Sequence, residues 1–272
     1  MTAPRLKAFC QLRSDPVYRR EAFTRGLKAA GYDVQGGAPR DVEPGDVLVL
    51  WNRYAETHDT ACRFEKAGGV VLVAENGYLG VDRNNRRRYA LAQGGHNGSG
   101  FWYVGGPERF ASLGIELKPW RQTGEHILVC PNRSFGMPGL AMPPNWAQDV
   151  AKRLKKLTAR EIRIRPHPGN DAPKKPLAQD LANAWAVVIW SSSAGVDALV
   201  EGIPVVCESP WWIAKGSTGK IEDIDIAPEC YASARWRAFQ SLAWAQWHVD
   251  EIAAGTPFEH LCKRPVAFCG MG

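Results

Sequence analysis

No stretch of the 272-residue chain approaches the roughly 20 consecutive apolar residues that a membrane-spanning helix needs. The opening segment, MTAPRLKAFCQLRSD, also lacks the apolar centre of a secretory leader. A soluble, cytoplasmic protein is therefore expected. Cysteine is present without pattern: the seven stand at positions 10, 62, 130, 207, 230, 262 and 269, an odd and widely spaced set with no Cys-x-x-Cys pair. That spacing excludes a zinc knuckle and predicts reduced thiols. No Asp-x-Asp triplet lies between strand-like segments. Asp223-Ile224-Asp225 has the spacing but sits in an acidic loop before Pro228, so no metal site is expected. A Gly-x-Gly-x-x-Gly fingerprint is missing too: Gly94 to Gly100 neither follows a strand nor opens a helix, and reads as a flexible loop carrying His96.

What is present is positive charge and tryptophan. A formal net charge of +6 suits an anionic partner such as a nucleotide, a nucleic acid or an acidic glycan. Eleven tryptophans are many for this length, and the groups at Trp211-Trp212 and at Trp236, Trp244 and Trp247 predict packing surfaces with one or two stacking positions.

The apolar pattern alternates between strands and helices. Leu6 to Leu12 reads as a strand. Asp15 and Pro16 cap the helix after it, which Gly31 ends. Strands follow at 32–34, 46–51 and 70–74, with a helix over 57–66. The stretch 117–124 is a polar, Pro- and Gly-punctuated link, and beyond it strands restart at 126–130, 162–165, 186–190 and 204–207 between short helices. Tyr231 to Ala253 reads as one helix with Trp236, Phe239, Ala243 and Trp247 on a broad apolar face. The fold class is α/β: two Rossmann-like domains, 1–118 and 119–230, facing across a cleft, with 231–272 crossing back onto the first.

Open parallel sheets bind ligands beyond the carboxyl ends of their strands. There the second half places Arg133, Arg165, His167, the hydroxyls of Ser191, Ser192 and Ser193, Gly195 at a helix start, and Glu208, whose carboxylate suits a ribose diol. Arginine and imidazole donors with serine hydroxyls at a helix N-terminus suit a phosphate. In the first half Glu75 stands where a buried strand ends and a glycine-rich turn begins, as a candidate base, with Asp82 and His96 as substitutes. Arg83, Arg86 and Arg87, beside Tyr89 and Trp102, form a candidate basic groove with stacking surfaces for an acceptor.

The element Arg165-Pro166-His167-Pro168, followed by Ser191-Ser192-Ser193-Ala194-Gly195 and Ala198 to Val206, resembles the His-Pro and Ser-Ser motifs of bacterial sialyltransferases, capsule Kdo transferases and glycerophosphotransferases. The match covers about 50 residues; beyond it the chain is similar only in architecture, and it lacks those families' membrane-binding helix and long acceptor domain. It also resembles, in plan, a compact phage DNA glucosyltransferase. The resemblance implies a GT-B-type glycosyltransferase using a UDP- or CMP-type nucleotide sugar as co-substrate, with no tightly bound cofactor. It further implies a hydroxymethylated pyrimidine in duplex DNA as acceptor, in the host cytoplasm, its base held by Trp102, Tyr103 or Trp211. A surface glycan or small-molecule acceptor, or a non-catalytic nucleotide- or DNA-binding protein, are the alternatives. Neither a membrane nor a protein partner is implied.

Overall fold

The computed structural model describes residues 5–81, 85–137, 139–169, 175–225 and 232–262. The chain divides into two compact units, one running to Gly106 and resuming at Ala243, the other Pro107–Leu242, where the sequence placed boundaries near 118 and 230. In chain order the elements are β1 (Lys7–Cys10), α1 (Arg20–Ala29), β2 (Asp33–Gln35), β3 (Val47–Trp51), α2 (Ala55–Lys66), β4 (Val70–Val81) and β5 (Arg87–Gln93). Then come α3 (Glu108–Ser112), β6 (His126–Cys130), α4 (Trp146–Leu154), β7 (Glu161–Ile164), α5 (Leu177–Leu181), β8 (Ala184–Ile189), α6 (Ala194–Val200) and β9 (Val205–Cys207). Last are α7 (Ala232–Trp244), β10 (Gln246–His248), α8 (Val249–Ala254) and α9 (Thr256–Leu261).

The first unit is built on a six-stranded sheet ordered β10-β5-β4-β3-β1-β2. β1 to β4 run parallel, and β5 and β10 are antiparallel additions. The run Val-Leu-Val-Leu-Trp of β3 is apolar at successive positions because both faces are covered, as in parallel sheets generally. Val47 and Val49 join Phe23, Leu27, Ile252 and Phe258 on one face; Leu48 and Leu50 join Ala61 and Phe64 on the other. Gly26 lets α1 close on α8, since a Cβ there would lie 1.8 Å from the Ile252 carbonyl oxygen.

Two sequence expectations fail here for readable reasons. The strand expected to stop at Ala74 runs on to Val81, paired with β3 on one side to Ala74 and with β5 on the other from Leu72 onward, with a register break between Asn76 and Val81. Gly77 lets another strand approach closely here: a Cβ would stand 2.7 Å from the Arg88 carbonyl oxygen. The helix expected over 231–253 breaks after Trp244 into β10, which pairs antiparallel with β5. Gln246 explains the change. Its buried Oε1 accepts the backbone N–H of Tyr78 at 3.0 Å and of Leu79 at 3.2 Å, amides that the irregular stretch of β4 leaves over.

The second unit has a four-stranded parallel sheet ordered β7-β6-β8-β9. β6 and β8 are buried throughout, whereas β7 (Glu-Ile-Arg-Ile) is an edge strand with charges outward. α4 lays Trp146, Ala147, Val150 and Leu154 on this sheet. Among the described residues no helix is long and apolar enough to cross a membrane. Cys10, Cys130, Cys207 and Cys262 are free. Cys62 is disulfide-bonded, which corrects the expectation of reduced thiols throughout, and no described cysteine is its partner.

Candidate functional site

In the second sheet the chain steps from β6 to β7 on one side and then to β8 on the other, so the strand order reverses between β6 and β8. Such reversal points open a crevice at the carboxyl ends of the strands. Asn132 follows β6 and Ser191 follows β8, and they join there: Asn132 Nδ2 donates to Ser191 Oγ at 2.9 Å, and Ser191 N–H to Asn132 Oδ1 at 3.4 Å. Ser192 Oγ accepts from Ala194 N–H at 3.3 Å, bracing the entry to α6. Ser193 is exposed at the N-cap position without a side-chain capping bond. Gly195, expected against a ligand, is buried instead. A Cβ there would meet Ile189 Cδ1 at 2.7 Å and the Trp212 ring at 2.9 Å, so glycine serves helix packing.

Arg133 donates to the Gly169 carbonyl oxygen, tying the loop after β6 to the turn that holds His167. His167 Nδ1 accepts from Gly169 N–H at 3.0 Å. This bond assigns the ring proton to Nε2, which faces outward as a donor. Partial desolvation and then the charge of Arg133 lower its pKa, so the ring is neutral at pH 7.

Two expected phosphate or ribose ligands are already engaged. Arg165 pairs with Asp180 and donates to the Lys175 carbonyl oxygen at 2.7 Å, and Lys175 Nζ reaches Asp180 at 2.8 Å. Burial works to raise the Asp180 carboxyl, but the hydrogen bonds and charges of Lys175 and Arg165 outweigh it and hold the pKa below the usual value. Arg165 therefore anchors α5 to the end of β7, with its guanidinium engaged by Asp180 and the Lys175 carbonyl oxygen. Glu208 accepts from Trp146 Nε1 at 2.9 Å and from Arg153 at 2.6 Å, one partner on each oxygen. It fastens α4 to the end of β9.

The same region holds an acid-sensitive histidine. His126 is buried at the start of β6 with Nε2 3.0 Å from the Asp180 carbonyl oxygen, while Nδ1 is buried without a partner. Burial lowers its pKa below 6.5, against the smaller opposing effect of the Asp180 carbonyl. A depressed folded-state value means that stability is intact above the unfolded pKa and declines as pH falls through the folded one. Melting temperatures between pH 8 and pH 5 are expected to fall below about pH 6.5, and to fall less in His126→Gln. Parallel curves for the two proteins would remove His126 as the cause.

The first-unit candidates scatter. Glu75 is half-buried at the point where β4 leaves β3. Its Oε1 accepts Tyr78 Oη and Asn97 N–H, both at 2.5 Å, and Oε2 has no partner. Burial, then Glu75, push the Tyr78 phenol well up, so it stays protonated as the donor. His96 Nδ1 accepts Arg53 N–H at 3.3 Å, and Arg53 Nη1 donates to the Gly94 carbonyl oxygen at 2.5 Å. Asn97 N–H is tied to Glu75, so Gly94, His96 and Asn97 of the 94–100 segment each have a partner in the sheet or the loop after β3. Asp82 and Arg83 lie outside the described residues. Of the arginine run, Arg86 pairs with Asp250 at 3.7 Å on the surface, Arg87 is exposed at the start of β5, and Arg88 is buried with the rest of that strand, which is covered on both faces. Tyr89 is 2% exposed, donates Oη to the Val17 carbonyl oxygen and packs edge-on against Phe23 and Trp51, so it offers no stacking surface. Trp102 leans half-buried on the same core. Among the described residues of the expected groove, Arg86 and Arg87 are exposed while Tyr89 is buried.

Sequence reasoning missed Asn132, although it named the loop, and it missed Arg53 altogether. Arg53 is fully buried two residues past a strand end, in a Trp-Asn-Arg-Tyr context that carries no motif.

The structure is similar to two transferase structures of Thermosulfurimonas dismutans KpsC. With the beta Kdo 2,7 transferase the TM-score is 0.56 at 14% identity, covering 92% of this chain and 98% of that one. For the beta Kdo 2,4 transferase the TM-score is 0.56 at 12% identity, covering 90% and 98%. The chain shares their fold. No family model matches the sequence, and no curated protein does.

Proposed function

We propose that this protein is a GT-B-type glycosyltransferase that moves a sugar from a nucleotide-sugar donor to the hydroxyl of a glycan or small-molecule acceptor. The observation that carries the reading is the Asn132–Ser191 pair at the reversal point of the second sheet, where a fold of this class places its nucleotide. The fold shared with two Kdo transferases supports it. In this reading His167 Nε2, Arg133 and the hydroxyls of Ser191 and Ser193 receive the donor phosphate. As the bond from the anomeric carbon to the phosphate oxygen breaks, the electron pair leaves with the nucleotide, and these groups stabilise its charge. Glu75 Oε2 takes the proton of the acceptor hydroxyl as the new glycosidic bond forms. An acceptor in DNA has lost its support, since Arg88 and Tyr89 are buried and Arg86 is paired.

Thermal-shift titration with CMP- and UDP-sugars tests the donor site, because a ligand that binds only the folded state at a hundred times its Kd adds about 2.7 kcal/mol. Asn132→Ala and Ser191→Ala are each expected to weaken that binding about tenfold or more, the worth of a hydrogen bond to a charged group. No stabilisation by any nucleotide or nucleotide sugar would sink the proposal.

A further inference from the structure

A second site lies away from these strand ends, within the same unit. A cleft of about 550 Å³ is bordered by Ile115, Glu116, Leu117, Arg235 and Trp236, a volume in the range of small-molecule sites. Its cation is unusual. Arg235 is 7% exposed, and among the described residues no carboxylate pairs with it. Nη1 and Nη2 donate to the Leu199 and Lys118 carbonyl oxygens at 3.1 and 2.9 Å, the guanidinium lies over the Trp120 ring at 4.0 Å, and Nε is buried with no acceptor. Trp120 Nε1, in the ring under that guanidinium, also lacks an acceptor. Burial pushes the Arg235 pKa down, as expected of a charge without its counter-ion. Buried charges are ordinarily paired.

The rim defines what fits. Trp236 is 48% exposed and held edge-on by Phe110 at 5.1 Å, so a broad part of the indole borders the cleft. Ile115 and Leu117 are half-buried beside it, and Glu116 is exposed. The single guanidinium charge of Arg235, unpaired with any described carboxylate, suits a single negative charge, and a carboxylate on the rim disfavours a doubly charged phosphate. We infer that this cleft binds a small monocarboxylate with a flat ring, its carboxylate against Arg235 and its ring on Trp236, as a site separate from the donor crevice.

The test is calorimetric titration of the full chain with benzoate, with neutral benzamide and doubly charged phenyl phosphate as controls. Benzoate is expected to bind and the two controls at least tenfold more weakly. Trp236→Ala is expected to weaken benzoate about three- to tenfold, the worth of an aromatic contact, and Trp236→Phe, which keeps a ring against Phe110, to weaken it less. Glu116→Gln is expected to tighten benzoate about threefold by removing a like charge nearby, and to leave benzamide unchanged. Benzoate binding no better than benzamide, or unaltered by both Trp236→Ala and Glu116→Gln, would overturn the assignment. Nucleotide-sugar binding is measured alongside and is expected to be unaffected, so the two sites stand or fall separately.

Discussion

Arg53→Met is expected to destabilise the protein by about 3–5 kcal/mol, the cost of breaking a buried ion pair from one side. Arg53 is 1% exposed and Glu65 4%, and they meet through two parallel bonds of 2.7 and 2.9 Å. The same guanidinium donates to His58 Nδ1 at 3.2 Å and to the Gly94 carbonyl oxygen at 2.5 Å. Methionine fills much of the volume, so the loss is electrostatic: the Glu65 carboxylate stays buried with no cation. The double variant Arg53→Met, Glu65→Leu is therefore expected to recover most of the loss, since a well-packed apolar pair replaces a buried ion pair at little cost. Urea unfolding of the wild type, both single variants and the double variant gives the coupling energy directly. A single-variant loss below about 1 kcal/mol would show that the pair is solvated after all. Because the Arg53 guanidinium also holds the Gly94 carbonyl oxygen, the destabilised protein should expose the 94–100 segment to protease before the rest.

Glu75→Gln carries the second large effect, on rate. If Glu75 is the base, kcat/KM for sugar transfer falls about 10²- to 10⁴-fold while nucleotide-sugar binding, measured by thermal shift, is unchanged. The substitution is well suited to the site. The amide oxygen can still accept Tyr78 Oη and Asn97 N–H, so the local fold holds, and what disappears is the free carboxylate oxygen. Full activity in this variant would move the base elsewhere, with Asp82 the next residue to test.

The sequence was most readable where both faces of a strand are buried. β3, β6 and β8 announce themselves as continuous apolar runs, and the alternation of strand and helix gave both sheets. It failed where a side chain far along the chain decides the local state. Nothing near Glu75 reveals that β4 continues, because the residue that receives the spare amides is Gln246. Likewise no local feature shows that Arg165 and Glu208 are occupied: Asp180 and Arg153 lie 15 and 55 residues away. A strand end marks where polar groups collect, but it does not distinguish a ligand's partner from a neighbour's: Arg165, Glu208 and Tyr89 all have protein partners that no local signal announces.

β10 belongs to the first sheet yet follows the whole second unit in the chain. On the ribosome the consequence is an order of events. Pro107–Leu242 is continuous and can close as soon as it emerges, whereas the first sheet waits with the edge of β5 unpaired until Gln246-Trp247-His248 arrives. Until then an open strand and the apolar underside that Trp247, Ile252 and Phe258 later cover are the surfaces a chaperone would have to guard.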